Sequence, residues 1–161
     1  MIISCYPCTG KTYLAKHDIR FIDMESSEYH WLDFDSNAQE QKKEHYKELN
    51  PDWPSNYVMA ILEQKRLYPD KNILISCQPE VLNALESINV AITYVYPYPS
   101  QDNLNYYHKL MVNRGNSKEF VDKMDTHFYS FIAQLQKRKG KGYELSGTSL
   151  TTLVRRCTLD F

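Results

Sequence analysis

The sequence Met1-Ile2-Ile3-Ser4-Cys5-Tyr6-Pro7-Cys8-Thr9-Gly10-Lys11-Thr12 places an apolar run directly before a loop that ends in glycine, lysine and threonine. This order is typical of a phosphate-binding loop, in which a buried strand leads into a tight turn whose backbone N–H groups surround phosphate oxygens. Cys5 stands where the pattern has its first glycine, so only Gly10-Lys11-Thr12 fits strictly. The N-terminal placement of the strand, and the helical turn that follows it, favour a nucleotide site over an incidental turn.

The chemistry of such a loop assigns a role to each of its residues. A lysine at the position of Lys11 reaches the terminal phosphates, and a hydroxyl at the position of Thr12 ligates Mg²⁺. We therefore predict ATP and Mg²⁺ as cofactors. The expected cofactor-binding residues are Cys8, Thr9, Gly10, Lys11 and Thr12.

Length and composition favour one domain over residues 1–161. The chain has 161 residues, 42% of them hydrophobic, which suits a single three-layer α/β unit. Its net charge is -1, so no overall field favours nucleic acid or membrane as an obligatory partner, and a small-molecule acceptor fits better. The sequence shows neither a signal peptide nor an apolar run of about 20 residues, and we expect a cytoplasmic protein.

Short apolar segments alternate with helical ones, which predicts a mainly parallel sheet covered on both faces. The expected strands are Met1 to Cys5, Arg20 to Asp23, Asn72 to Ser76, Ile92 to Tyr96 and Tyr143 to Leu145. The expected helices are Lys11 to Lys16, Ser36 to Lys47, Ser55 to Leu67, Pro79 to Ser87, Asp102 to Asn113 and Lys118 to Lys137.

Two acids follow the second strand, at the sheet edge where open α/β folds bind ligands. We predict that Asp23 helps to hold Mg²⁺ and orients the acceptor, and that Glu25 contacts substrate. The alternative is a pair of solvated acids at a loop edge. The third strand lacks the aspartate that many phosphate-loop proteins carry there, and its polar residues Ser76 and Gln78 are candidates for contact with the γ-phosphate or acceptor. This absence favours group transfer over hydrolysis.

Arg114 lies where a helix breaks at Gly115, and an arginine there is able to close over ATP and neutralise charge on the transferred group. The alternative is an ordinary basic helix end. Trp53 and Tyr57 are candidates for stacking on a base, with core packing as the alternative for Trp53. The basic stretch Lys137 to Lys141 is interpreted as a solvated helix end, or else as a contact for nucleic-acid phosphates.

Cys5 and Cys8 share the spacing of redox and zinc motifs, but a second pair at ligand spacing is absent. Beside Lys11, a thiol in the loop would have a lowered pKa. A disulfide between the two, with Cys77 nearby, would then block phosphate binding.

Together these features resemble the small P-loop kinases of the nucleoside monophosphate kinase and shikimate kinase group, specifically over the first twenty-five residues. Asn50 to Val58 and Tyr107 to Asn116 add similarity to kinase-like ATP-binding proteins of phages and bacteria. The resemblance implies a five-stranded parallel sheet, with Lys11 and Thr12 at the phosphates and metal. It places Asp23 on the acceptor side and a lid-like segment around 97–118 that carries Arg114. Cys5, Glu25 and the single lid arginine depart from the pattern.

The expected function is ATP-dependent phosphoryl transfer to a nucleotide, nucleoside or other small hydroxyl compound, with Lys11, Asp23 and Arg114 as catalytic residues. Two alternatives remain open. One is a kinase of nucleic-acid ends or modified bases, and the other is a non-enzymatic ATP-binding module.

Overall fold

The computed structural model describes residues 1–32 and 48–156. Its strands are β1 (Ile2–Cys5), β2 (Phe21–Asp23), β3 (Asn72–Ser76), β4 (Ile92–Pro97) and β5 (Lys141–Leu145). Its helices are α1 (Lys11–His17), α2 (Ser27–His30), α3 (Ser55–Leu67), α4 (Pro79–Ser87), α5 (Gln101–Asn113), α6 (Lys118–Thr126), α7 (Phe128–Gln136) and α8 (Leu150–Arg156). None of these helices combines the length and apolar character that a membrane span requires.

All five strands run parallel in the order β2-β3-β1-β4-β5, which confirms the predicted α/β class with its parallel sheet. The central strand is β1, where Ile2 pairs with Ile73 on one side and Ile92 on the other. Since every strand points the same way, the loops after all five strands meet at one edge of the sheet. The loop between β1 and α1 leaves from the middle of that edge.

Alternation along the strands builds a hydrophobic core on each face of the sheet. Ile2 and Tyr6 point to the face covered by α3, α4, α5, α6 and α7. Ile3 and Cys5 point to the opposite face, where Leu14 of α1 and Leu150 of α8 pack. The sheet therefore lies between two helical layers, as the three-layer arrangement requires.

The single helix predicted over Lys118 to Lys137 is wrong, because the chain forms α6 and α7 there. His127 separates them with φ −101° and ψ 6°, outside the helical region. One apolar stripe serves both helices, with Phe128, Ile132 and Leu135 buried against the sheet, so periodicity alone does not reveal the break. The short helices α2 and α8 were not predicted, and the predicted helix Ser36 to Lys47 lies outside the described residues.

Candidate nucleotide-binding site

The loop between β1 and α1 contains two residues with a positive φ. Cys8 has φ 62° and Gly10 has φ 99°, so two left-handed residues flank Thr9. The Thr9 hydroxyl donates to the Tyr6 carbonyl at 2.8 Å, which holds the turn closed. A methyl group added at Gly10 would meet no atom within 4 Å, so the space beside the loop is open to a ligand. Alternating backbone of this kind turns N–H groups toward an anion.

Two of the predicted residues, Lys11 and Thr12, contact the carboxylate of a third, Asp23. Lys11 Nζ lies 3.0 Å from Asp23 Oδ1, and Thr12 Oγ1 donates to Asp23 Oδ2 at 2.6 Å. The side chains of Lys11 and Asp23 are only 15% and 12% exposed. Because β2 ends at Asp23 on the same sheet edge as the loop, residues from two non-adjacent strands form one polar cluster.

The acids around Lys11 keep it charged. Burial by itself would lower the pKa of Lys11, but the nearby carboxylates of Asp23 and Glu25 outweigh burial and raise that pKa above its ordinary value. The ammonium group is therefore fully protonated at neutral pH. It carries the positive charge that a bound triphosphate needs.

The oxygens of Thr12 and Asp23 fit Mg²⁺. This ion prefers hard oxygen ligands and usually takes one or two from the protein, with phosphate oxygens and water completing its shell. The two oxygens lie 2.6 Å apart, so one ion could contact both sides of the pair. Within residues 1–32 and 48–156, no group of three His, Cys, Asp or Glu residues is placed to hold a metal without help from a ligand.

An open cavity of about 560 Å³ lies between α1 and the acid-bearing segment after β2, and none of the loop residues Cys8 to Lys11 lines it. Glu25 borders it, with one oxygen fixed by hydrogen bonds from the Ser27 amide at 3.3 Å and hydroxyl at 3.0 Å. Arg114, at the end of α5, borders the cavity from another element. The lining residues are Thr12, Ala15, Lys16, Phe21, Ile22, Asp23, Glu25, Glu28 and Arg114.

The predicted lid-like segment 97–118 is anchored over much of its length. Tyr107 and Met111 of α5 are each 1% exposed in the core. The part that reaches the cavity is its end, where the exposed Arg114 follows the last turn. Within the segment 97–118, Arg114 is therefore the residue that borders the cavity.

Tyr57 does not fit the predicted role of stacking on a base, because it is completely buried. Its hydroxyl donates to the Met24 carbonyl at 2.8 Å and accepts from the Ser76 amide at 3.4 Å. Trp53 stacks on Tyr57 with ring centroids 5.6 Å apart, and its Nε1 donates to Glu80 at 3.1 Å. Both rings stabilise the segment after β2 and neither lines the cavity.

Gln78 also lies outside the cavity lining. Its side-chain oxygen accepts a hydrogen bond from the Ser76 hydroxyl, so the two polar groups at the end of β3 bond to each other. Gln78 immediately precedes α4, which starts at Pro79. The structure thus gives this pair a local contact in place of the predicted phosphate contact.

The expected lowered pKa is wrong for Cys5. Burial raises the pKa of this thiol to about 12, and the nearby Lys11 opposes the shift only in part. Cys5 also packs on the α1 side of the sheet, whereas Cys77 packs on the opposite side, since alternate strand residues face opposite ways. Cys8 is half-buried against the same face as Cys77. A reactive thiolate at Cys5 is therefore absent at neutral pH.

The basic stretch 137–141 lies far from the cavity. It leads into β5, which starts at Lys141, at the edge of the sheet where strands begin. The phosphate loop follows the end of β1, at the other edge. A five-residue strand spans about 16 Å, so these cations do not border the candidate site.

Three contributions to the site were not predicted. Lys16 lines the cavity one helical turn beyond Thr12, a spacing that could have indicated it. Glu28 lines it from α2, a helix too short to show periodicity. The Leu150 amide donates to the Thr9 carbonyl at 2.9 Å, and a backbone contact of this kind leaves no signal in a sequence.

No protein-family model and no curated protein matches the chain. Its chemistry is therefore inferred from the residues around Asp23.

Proposed function

We propose that this protein is an ATP-dependent phosphotransferase acting on a nucleotide, nucleoside or other small hydroxyl compound. The observation that carries the proposal is the meeting of Lys11 and Thr12 at Asp23, at 3.0 Å and 2.6 Å, beside an open cavity. A charged lysine, a hydroxyl and a carboxylate next to a left-handed loop supply what phosphoryl transfer needs. Use of ATP as donor is also our ground for proposing a cytoplasmic location.

In this proposal Lys11 exchanges partners when nucleotide binds. Its ammonium leaves Asp23 for the β- and γ-phosphate oxygens, while the N–H groups around Cys8 and Gly10 surround the phosphates. When bound, Mg²⁺ would be held by Thr12 and Asp23 and would neutralise part of the phosphate charge. Because Lys11 is already desolvated, its attraction to phosphate is stronger than in water.

Asp23 and Arg114 act on the transferred group. Asp23 accepts a hydrogen bond from the acceptor hydroxyl and takes its proton as the acceptor oxygen bonds to the γ-phosphorus. The bond between that phosphorus and the β-γ bridging oxygen breaks, ADP leaves, and the proton passes to solvent. Arg114 stabilises the charge that spreads over the transferred oxygens. The end of β3 offers Ser76 and Gln78 rather than a carboxylate to activate water, which favours transfer over hydrolysis.

Nucleotide binding is tested by melting with millimolar ATP and Mg²⁺. At a hundredfold excess over Kd, ligand linkage stabilises the fold by about 2.7 kcal/mol. For a domain of this size that corresponds to a rise in Tm of roughly 5 to 10 °C. Lys11→Ala should abolish most of the rise, whereas Lys139→Ala, at the opposite sheet edge, should retain it. An unchanged Tm in the parent protein would remove the nucleotide-binding claim.

Transfer itself is tested by phosphorylation of an acceptor panel. Arg114→Ala should lower kcat by at least tenfold and leave ATP affinity within about threefold, because its contact develops in the transition state. Full activity of Arg114→Ala would exclude this arginine from the mechanism.

A second candidate is a non-enzymatic module in which ATP changes a conformation that a partner protein recognises. It is favoured by the end of β3, where Ser76 donates a hydrogen bond to Gln78 and neither residue is a carboxylate. Calorimetric ATP binding without any phosphorylated acceptor would support this candidate. Detection of one phosphorylated acceptor would contradict it.

A further inference from the structure

The cavity beside the phosphate loop carries more acids than bases. Asp23, Glu25 and Glu28 supply three carboxylates, while Lys16 and Arg114 supply two cations, and the other lining residues are uncharged. The acids come from one short segment that runs from the end of β2 into α2. In the proposed function the acceptor binds against this segment, which we call the acceptor wall.

The two cations are placed differently from the acids. Lys16 lies one turn beyond Thr12 on α1, about 6 Å further from the phosphate loop. Arg114 borders the cavity from the end of α5, where the proposed function assigns it to the transferred phosphoryl group. Lys11 is engaged by Asp23 and, in the proposed complex, by ATP. With Asp23 assigned to Mg²⁺ and Arg114 to the transferred group, two acids, Glu25 and Glu28, and one cation, Lys16, remain among the lining residues to face the acceptor.

Glu25 is held in a fixed position on this wall. The amide and hydroxyl of Ser27 both donate to one of its oxygens, at 3.3 Å and 3.0 Å. Glu28 lies three residues further along, exposed on α2, so a second negative charge lies beside the first.

We infer that the acceptor is a hydroxyl compound without a phosphate group, either uncharged or positively charged, such as a nucleoside or an amino sugar. This inference rests on the proposed phosphotransferase function and narrows its substrate class. An acceptor that already carries a phosphate would place a dianion against Glu25 and Glu28. Hydroxyl and ammonium groups donate hydrogen bonds to carboxylates, so the same wall binds them.

The chemical step is one transfer. The oxygen of an acceptor hydroxyl forms a bond to the γ-phosphorus, and the bond from that phosphorus to the bridging oxygen of ADP breaks. The hydroxyl proton leaves through Asp23. The products are a phosphate monoester and ADP, with no change in oxidation state.

The experiment compares matched acceptor pairs with the full chain, ATP and Mg²⁺. One pair is thymidine and thymidine 5′-monophosphate, and the other is glucosamine and glucosamine 6-phosphate. The rate of ADP release above the acceptor-free rate is measured, and mass spectrometry identifies the phosphorylated product. The unphosphorylated member of a pair should react at least tenfold faster.

Variants at the wall test the electrostatic cause. Glu28→Lys should raise the KM for glucosamine at least tenfold. It should also reduce the ratio of the rate with thymidine to the rate with thymidine 5′-monophosphate. Glu28→Gln should have an intermediate effect on both. Asp70→Lys makes the same charge change in an exposed turn before β3, at the other sheet edge, and should leave both values unchanged. Equal effects of Glu28→Lys and Asp70→Lys would overturn the local cause.

Calorimetry with ATP and Mg²⁺ distinguishes failure of the proposed phosphotransferase function from failure of the inferred acceptor class. Absent ATP binding contradicts the proposed function itself. With ATP bound, faster reaction of thymidine 5′-monophosphate overturns the acceptor class and leaves the phosphotransferase standing. With ATP bound and no member phosphorylated, the acceptor class is likewise overturned.

Discussion

Asp23 contacts the two side chains that the proposed function assigns to a nucleotide and its metal. One of its oxygens pairs with Lys11 and the other accepts from Thr12. A triphosphate without metal must therefore break an ion pair in which both side chains are mostly buried, and it must approach an uncompensated carboxylate. In the proposed function, binding of nucleotide and metal together avoids that repulsion, so we expect Asp23 to couple the two events.

Asp23→Asn should uncouple them. The amide has no negative charge to pair with Lys11 or to repel phosphate, so ATP affinity measured in EDTA should rise about tenfold, or about 1.4 kcal/mol. The rate of transfer with Mg²⁺ should fall by roughly a hundredfold or more, because the acceptor loses its base. Calorimetry and ADP release measure the two effects. Asp70→Asn is the control, and unchanged metal-free affinity in Asp23→Asn would contradict the coupling.

Cys8 adopts a backbone conformation that glycine tolerates better. Its φ is 62°, a region that costs an L-residue roughly 1 to 2 kcal/mol, partly offset by the extra entropy of glycine in the unfolded chain. Cys8→Gly should therefore raise the free energy of unfolding by about 0.5 kcal/mol, and Cys8→Val should lower it. Urea denaturation measures both. Asn89, with φ 59°, is a matched comparison in which substitution by glycine should gain less, because asparagine tolerates this region.

At the scale of elements, Asn103 joins α5 to the end of β5. Its side-chain amide donates to the carbonyls of Tyr98 at 2.8 Å and Leu145 at 3.2 Å, and its oxygen accepts from the Gly147 amide at 3.0 Å. It is only 3% exposed. One side chain therefore satisfies backbone groups from two strand ends and a loop.

Asn103→Ala should lower the free energy of unfolding by about 1 to 3 kcal/mol, because it removes three hydrogen bonds made by a buried side chain. It should also weaken ATP binding, since the loop after β5 leads to the Leu150 amide that bonds Thr9. Urea denaturation and calorimetry check the two effects. The exposed Asn105 on the same helix provides the control, and its substitution by alanine should change stability by less than about 0.5 kcal/mol.

For the whole molecule, alkaline pH should reduce stability through buried thiols. Burial raises the pKa of both Cys5 and Cys77 to about 12, from an ordinary value of 9.0, with Lys11 opposing in part. The folded state therefore keeps protons that the unfolded state loses, so the stabilisation is complete below pH 9 and is lost as pH rises toward 12. Burial also raises the pKa of Tyr57 and Tyr107, which acts in the same direction.

Urea denaturation at pH 8, 9 and 10 measures this decline. Each thiol contributes at most about 1.4 kcal/mol per pH unit to the loss of unfolding free energy. Cys77→Ala should show a shallower decline than the parent, whatever its stability at pH 8. A slope identical to that of the parent would show that Cys77 does not contribute.

The sheet was largely predictable because β1, β3 and β4 are apolar runs ended by polar or turn residues, whereas most of β5 is exposed. Ile73, Leu74 and Ile75 have no exposure at all, and such residues mark a strand covered on both faces. The site was predictable in part, since Lys11, Thr12 and Asp23 follow strand ends that must share an edge. The placement of Tyr57 was not, because its aromatic ring suits a base or a core equally and only tertiary packing decides. Strand order likewise has no local signal, although it is what brings Asp23 beside Lys11.

The bond from the Leu150 amide to the Thr9 carbonyl has a consequence for synthesis. Thr9 is synthesised long before Leu150, whose amide supports it. Until α8 is made and packs on α1, the loop between β1 and α1 lacks this support. Nascent chains that have not reached α8 therefore lack the bond that holds Thr9.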